Sequence, residues 1–173
     1  MFATIYLPDF YLQAALRHQS ELQGKPVALI DDHEKKAVII QLNEAAEGIG
    51  VRRGMTPSQG LARCLHLVVK TRILPQEQLL QEILLHFAGT LAPYVEATGA
   101  GLSTIQFTNT KNLEEKMARV IAQLTDADIV AQAGIASTPD ASFLAAHLAK
   151  PVLLIDDASE FLATLPIETL MLT

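Results

Sequence analysis

Between Pro75 and Pro93, Leu79, Leu80, Ile83, Leu84, Phe87 and Leu91 recur at steps of three and four residues, while Gln76, Glu77, Gln81 and Glu82 fall on the wet face. The first proline opens a helix and the second stops it. Val95 to Thr98 and Leu102 to Phe107 then flank Gly99-Ala100-Gly101, the makings of a hairpin. A second amphipathic helix follows, capped near Asn112 with Glu115 three residues on, and turns Leu113, Met117, Val120, Ile121 and Leu124 inward. Phe2 to Leu7 is an apolar run suited to a buried strand, and Ile129 to Ile135 is another. If the first joins the rest across the intervening segment, the series is strand, helix, hairpin, helix, strand, the split βαβ order of a ferredoxin-like sheet. Taken alone, these strands suit a generic α/β domain equally well.

The intervening segment has its own pattern. Phe10 to Leu22 has helical periodicity, and Val27 to Ile30 and Ala37 to Leu42 read as strands joined by the charged turn Asp31 to Lys36. Thr56-Pro57-Ser58-Gln59 is a helix start with a Thr cap, Pro in the first turn and Gln three residues after the cap; that helix should run to Cys64. Thr138-Pro139 starts a helix ending near Lys150, and Val152 to Ile155 is a last strand.

The 173 residues, half of them hydrophobic, can bury a core in one domain or two small lobes. Cys64 is alone, so there is no internal disulfide, and Met-Phe-Ala-Thr-Ile has neither a basic signal region nor a membrane-length apolar run. The expectation is a cytoplasmic protein with no membrane partner. The net charge of -6 is uneven: residues 1–72 carry nine Lys and Arg against seven Asp and Glu, the remainder four against twelve. Arg52, Arg53, Arg63, Lys70 and Arg72 form a stretch with no acid between its ends. It reads either as a phosphate-contacting surface for a DNA template or as a solvated surface on a short helix. The histidines show no metal-ligand spacing, and no metal or other cofactor is expected.

Four segments in order, Gly24-Lys25-Pro26-Val27, Gly50-Val51-Arg52-Arg53-Gly54-Met55, Gly134-Ile135-Ala136 and Ala145-Ala146-His147-Leu148-Ala149-Lys150-Pro151, resemble the palm and fingers of Y-family translesion DNA polymerases. Phe10-Tyr11 and Tyr94-Val95-Glu96 extend the likeness, which runs from Met1 to about Pro166. The resemblance implies an α/β (α+β) fold with a ferredoxin-like palm at 1–10 and 74–166. It places an inserted fingers lobe at 11–73, and residues 167–173 begin a truncated connection to a thumb. The family places a metal-binding Asp where this chain has Tyr6, and an Asp-Glu pair where it has Gly101-Leu102. Nucleotidyl transfer uses two divalent ions about 3.5–4 Å apart, which need hard oxygen ligands. Asp9 reads as the cap of the helix at Phe10 rather than a relocated ligand. Glu96, five residues before Gly101, lies about 16 Å away at about 3.3 Å per strand residue.

The family's triphosphate-binding Tyr and Arg correspond to Asn43 and Ala46, and a Lys directed at the same phosphates to Phe143. Phe10 and Tyr11 match an aromatic pair whose second ring screens the nucleotide sugar; here packing is the expected role. These departures resemble the ImuB-type mutagenesis proteins. The implied function is a non-catalytic, DNA-binding scaffold in DNA repair and damage-induced SOS mutagenesis, in place of an enzyme. By the same resemblance its partners are DNA, bound weakly by this length of chain, an error-prone or replicative polymerase, a sliding clamp and an accessory mutagenesis protein. A divergent active translesion polymerase and a regulatory α/β module unrelated to DNA are the alternatives.

Overall fold

The computed structural model describes residues 1–22, 24–31 and 37–166. Most of the charged turn after Asp31 and the connection expected at 167–173 lie outside these residues. The chain divides into two compact units, one formed by Asp9–Leu80 and the other by Met1–Pro8 with the chain from Gln81 onward.

The larger unit is built on a five-stranded sheet in the order β5-β6-β1-β7-β8. Its strands are β1 (Phe2–Tyr6), β5 (Tyr94–Gly99), β6 (Leu102–Gln106), β7 (Gln132–Ala136) and β8 (Val152–Leu154). β1 lies between β6 and β7 and runs antiparallel to both, and β8 adds a parallel edge. Without β8 this is the expected ferredoxin-like order. The hairpin forms because Gly101 takes φ 70, a left-handed conformation that favours glycine. Helix α5 (Leu113–Asp126) buries the five residues its periodicity marks, though its N-cap Asn112 sits in the left-handed region and makes no side-chain cap bond. Helix α6 (Pro139–Leu148) opens with Thr138 accepting from the Ala141 amide and lies on β1 and β7. Contact at β7 is backbone against backbone, since a Cβ on Gly134 would fall on the Ala146 nitrogen and the Ser142 carbonyl oxygen. Helix α7 (Ala158–Thr164), capped by Asp157, has no counterpart among the expected elements.

The smaller unit carries a three-stranded sheet, β3-β2-β4, from β2 (Val27–Ile30), β3 (Ile39–Leu42) and β4 (Val68–Thr71). β2 sends alternate residues to two apolar clusters. Val27 and Leu29 join Leu12 and Ala15 of α1 (Phe10–Leu16), while Ala28 joins Ala46 of α2 (Glu44–Gly48), Val51, Cys64 and Leu67. The full capping box at Thr56 and Gln59 starts α3 (Pro57–Arg63) as expected. The first helix stops at Leu16, short of Leu22, where Arg17 turns to ψ 129 and His18 then takes φ 65; a short 3-10 segment follows at Ser20–Leu22. Helix α4 (Leu74–Gly89) is the longest in the chain's described residues. Among those residues no helix is long and apolar enough to cross a membrane.

Candidate functional site

Strand pairing brings the three positions singled out in the sequence to one end of the large sheet. Tyr6 is the direct register partner of Leu102, and the carbonyl of Gly101 accepts from the Leu7 amide at 2.8 Å. Gln81 of α4 fixes the turn from its other side. Its Oε1 accepts from the Gly101 amide at 2.8 Å and its Nε2 donates to the Leu102 carbonyl at 3.2 Å. The Tyr6 ring stacks on His147 at 3.9 Å and 23°, and the Phe143 ring lies 4.4 Å from the same imidazole. His147 Nδ1 donates to the Phe143 carbonyl at 2.9 Å, which assigns the proton to that nitrogen. Phe143 is thereby part of an aromatic stack against β1.

Thr4 shares the Tyr6 face of β1. Its hydroxyl lies 2.8 Å from Ser142 Oγ and 3.4 Å from Thr104 Oγ1, which in turn lies 3.1 Å from Thr98 Oγ1. Ser142 donates to the Pro139 carbonyl at 2.7 Å. The donors at this end of the sheet are a stacked phenol and two backbone carbonyls already in hydrogen bonds. Such a set does not fit a two-cation centre, whose ions need carboxylate oxygens.

The positions matched to nucleotide binding have structural tasks in the smaller unit. Asn43 caps α2, its Oδ1 accepting from the Ala46 and Val27 amides at 3.1 and 3.0 Å while its Nδ2 donates to the Lys25 carbonyl at 2.7 Å. Ala46 is fully buried. Phe10 is buried and meets Tyr11 edge to face at 5.4 Å.

The basic residues separate into two kinds. Arg52, Arg53 and Arg63 are exposed, and Lys70 is half-buried on β4, a strand that the sequence reading did not expect. Arg52 donates to the carbonyls of Glu47 and Val51. Arg72 is of the second kind. It grips Glu77 with Nε and Nη2 at 2.9 and 2.7 Å, meets Asp31 at 3.0 Å, and lies 4.0 Å from the Tyr11 ring centroid. The hydrogen bond to Glu77, ahead of that to Asp31, holds this guanidinium even more firmly protonated than usual. Arg72 therefore belongs to the architecture of the unit, and its expected place in a DNA surface gives way to an internal one.

Asp9 does not cap α1 as expected. It sits at φ 47 with no side-chain cap bond, and its Oδ1 accepts from Arg53 Nη2 at 2.6 Å, 44 residues away in sequence. Burial pushes the Asp9 carboxyl above its ordinary range; Arg53 pulls it down and Glu47 adds a smaller push upward. Among the described residues no group of three His, Cys, Asp or Glu could hold a metal ion. Sequence reasoning missed Gln81 and the Asp9–Arg53 pair, both products of tertiary contact. The spacing of Phe143 and His147, one helical turn apart, was the only available sign of the stack.

The family model described as impB/mucB/samB matches residues 5–147. The chain belongs to that family, and so to the Y-family polymerase superfamily. It is 29% identical over 177 aligned residues to a DNA polymerase IV of Legionella pneumophila strain Corby, covering 93% of this chain and 48% of the relative. It is 26% identical over 171 to a DNA polymerase IV of Pseudomonas syringae pv. tomato, with the same coverage. The chain thus spans about half the length of the curated relatives it matches. Two solved structures share the fold. The insertion ternary complex of Dbh DNA polymerase has TM-score 0.84, 16% identity and coverage of 97% and 53%; DinB from Sulfolobus solfataricus has 0.80, 19%, 97% and 52%.

These comparisons overturn the expectation that the chain is no enzyme. Its relatives are named as DNA polymerases along nearly the whole of it. Tyr6, Gly101 and Leu102 lie within the stretch that matches this polymerase family. The likeness to ImuB-type proteins gains nothing from these relatives.

Proposed function

We propose that this chain forms the palm, its larger unit, and the fingers, its smaller unit, of a protein that engages primer-template DNA in translesion synthesis and DNA repair. The observation that carries this reading is the family match over residues 5–147, joined to a fingers surface where Arg52, Arg53 and Arg63 are exposed. Guanidinium and ammonium groups there meet backbone phosphates without reading sequence. Lys70 lies at the edge of the set, and Arg72 is left out because its donors serve Glu77 and Asp31. A sliding clamp, a partner polymerase and an accessory mutagenesis protein are the proposed protein partners, and work on DNA places the protein in the cytoplasm.

The test is fluorescence anisotropy of labelled primer-template DNA across a salt series. Replacing Arg52, Arg53, Arg63 and Lys70 by Gln should weaken binding and flatten the slope of log K against log salt by about 0.7–0.9 for each phosphate that is no longer neutralised. An unchanged slope would remove DNA from this surface. Primer extension by the full-length protein, with and without acids restored at Tyr6, Gly101 and Leu102, reports where the catalytic ligands lie.

A further inference from the structure

We infer that the Asp9 carboxylate holds the place of a DNA phosphate on Arg53, so that DNA binding at this point is an exchange of one anion for another. The inference rests on the proposed DNA surface and names how one residue of it is controlled. Four observations bear on it. The pair is short, 2.6 Å, and joins segments 44 residues apart in the smaller unit, so the carboxylate is aimed at the guanidinium by the fold rather than by sequence proximity. Asp9 is the position where a helix cap was expected, yet its side chain makes no cap bond; Arg53 is its partner instead. The Arg53 side chain keeps 63% of its surface exposed, so an incoming anion can reach it. The groups facing Asp9 are Arg53 and Glu47, and burial still outweighs the attraction of Arg53, raising the carboxyl above its ordinary range.

With 63% and 37% of the two side chains exposed, the pair is a weak one. It opens at small cost, and a phosphate diester offers Arg53 the same two-oxygen geometry as a carboxylate. When DNA takes Arg53, Asp9 is left as a free anion that regathers cations. That uptake offsets the counterions released from the neutralised phosphate, so the native chain shows a shallower salt dependence than its exposed cations would give.

Asp9→Asn is a clean probe, since Asn tolerates the left-handed backbone at this position as well as Asp does. With the full chain and labelled primer-template DNA, Asp9→Asn should tighten binding roughly 1.4- to 5-fold, the strength of an exposed ion pair. It should also steepen the salt slope by about 0.7–0.9. In an Arg53→Gln background the same change should alter neither quantity. Equal tightening with and without Arg53 would reduce Asp9 to a general source of repulsion and overturn the exchange, as would an unchanged slope in Asp9→Asn alone. A different result, DNA binding that is insensitive to Arg52, Arg53, Arg63 and Lys70 together, would overturn the DNA surface itself.

Discussion

Arg72 offers the sharpest test of how the smaller unit is held together. Arg72→Met keeps much of the side-chain volume and removes the charge. It withdraws three hydrogen bonds from two carboxylates whose side chains are 19% (Asp31) and 7% (Glu77) exposed. Stranding a buried charge costs about 3–5 kcal/mol, and the 22% exposure of Arg72 argues for the lower end, about 3 kcal/mol. Removing the guanidinium from the Tyr11 ring adds about 0.5–1 kcal/mol. With a urea m-value of about 2 kcal/mol/M, the unfolding midpoint should fall by about 1.5 M or more. The assay is urea denaturation followed by circular dichroism and tyrosine fluorescence. Arg72→Met with Glu77→Leu removes the stranded carboxylate too and should recover more than half of the stability, because replacing a buried pair by apolar groups is often neutral. A midpoint shift below about 0.5 M for Arg72→Met would make this an ordinary surface pair. Absence of rescue would show that Glu77 is not the group left unpaired.

Two further substitutions test the larger unit by the same assay. Gly134→Ala should destabilise by about 3 kcal/mol, since the new methyl meets α6 backbone, including the Ala145 carbonyl carbon at 2.6 Å, which has no side chain to swing aside; a cost below about 1 kcal/mol would mean that α6 can lift off β7. Ser103→Ala should be neutral or stabilising by about 1 kcal/mol, because the Ser103 hydroxyl is fully buried and has no hydrogen-bond partner among the described residues; a clear drop in stability would reveal a partner for it.

The parts of this fold that were legible in the sequence are those where local chemistry and tertiary packing ask for the same thing. Thr56-Pro57 and Thr138-Pro139 start their helices with the expected cap bonds, and the α5 stripe is the stripe it buries. Gly101 turns the hairpin that places Tyr6 opposite Leu102. Elements of four to seven residues behave differently. α2 and α7 are too short to show a period, and β4 exists because Val68 to Thr71 find β2 to pair with. The early end of α1 is a backbone turn at Arg17 and His18, which leaves no trace in hydrophobicity. Of the candidate site, the meeting of positions 6, 101 and 102 was legible through strand order, whereas the partners of Asp9 and Arg72, 44 and 41 residues away, were not. A run of basic residues thus looked uniform in sequence although one of its members is an internal strut.

The row of hydroxyls from Ser142 to Thr98 has a direction. A carbonyl can only accept, so Pro139 commits the Ser142 proton, and Ser142 then has only lone pairs to offer Thr4. Thr4 must give its own proton to Ser142 and accept from Thr104, which must in turn accept from Thr98. The orientation of one proton at the start of α6 is transmitted across three strands, and Thr98, exposed on β5, ends with its hydrogen turned inward. Whatever approaches that edge of the sheet meets a bare oxygen, ready to receive a hydrogen bond and with none to give.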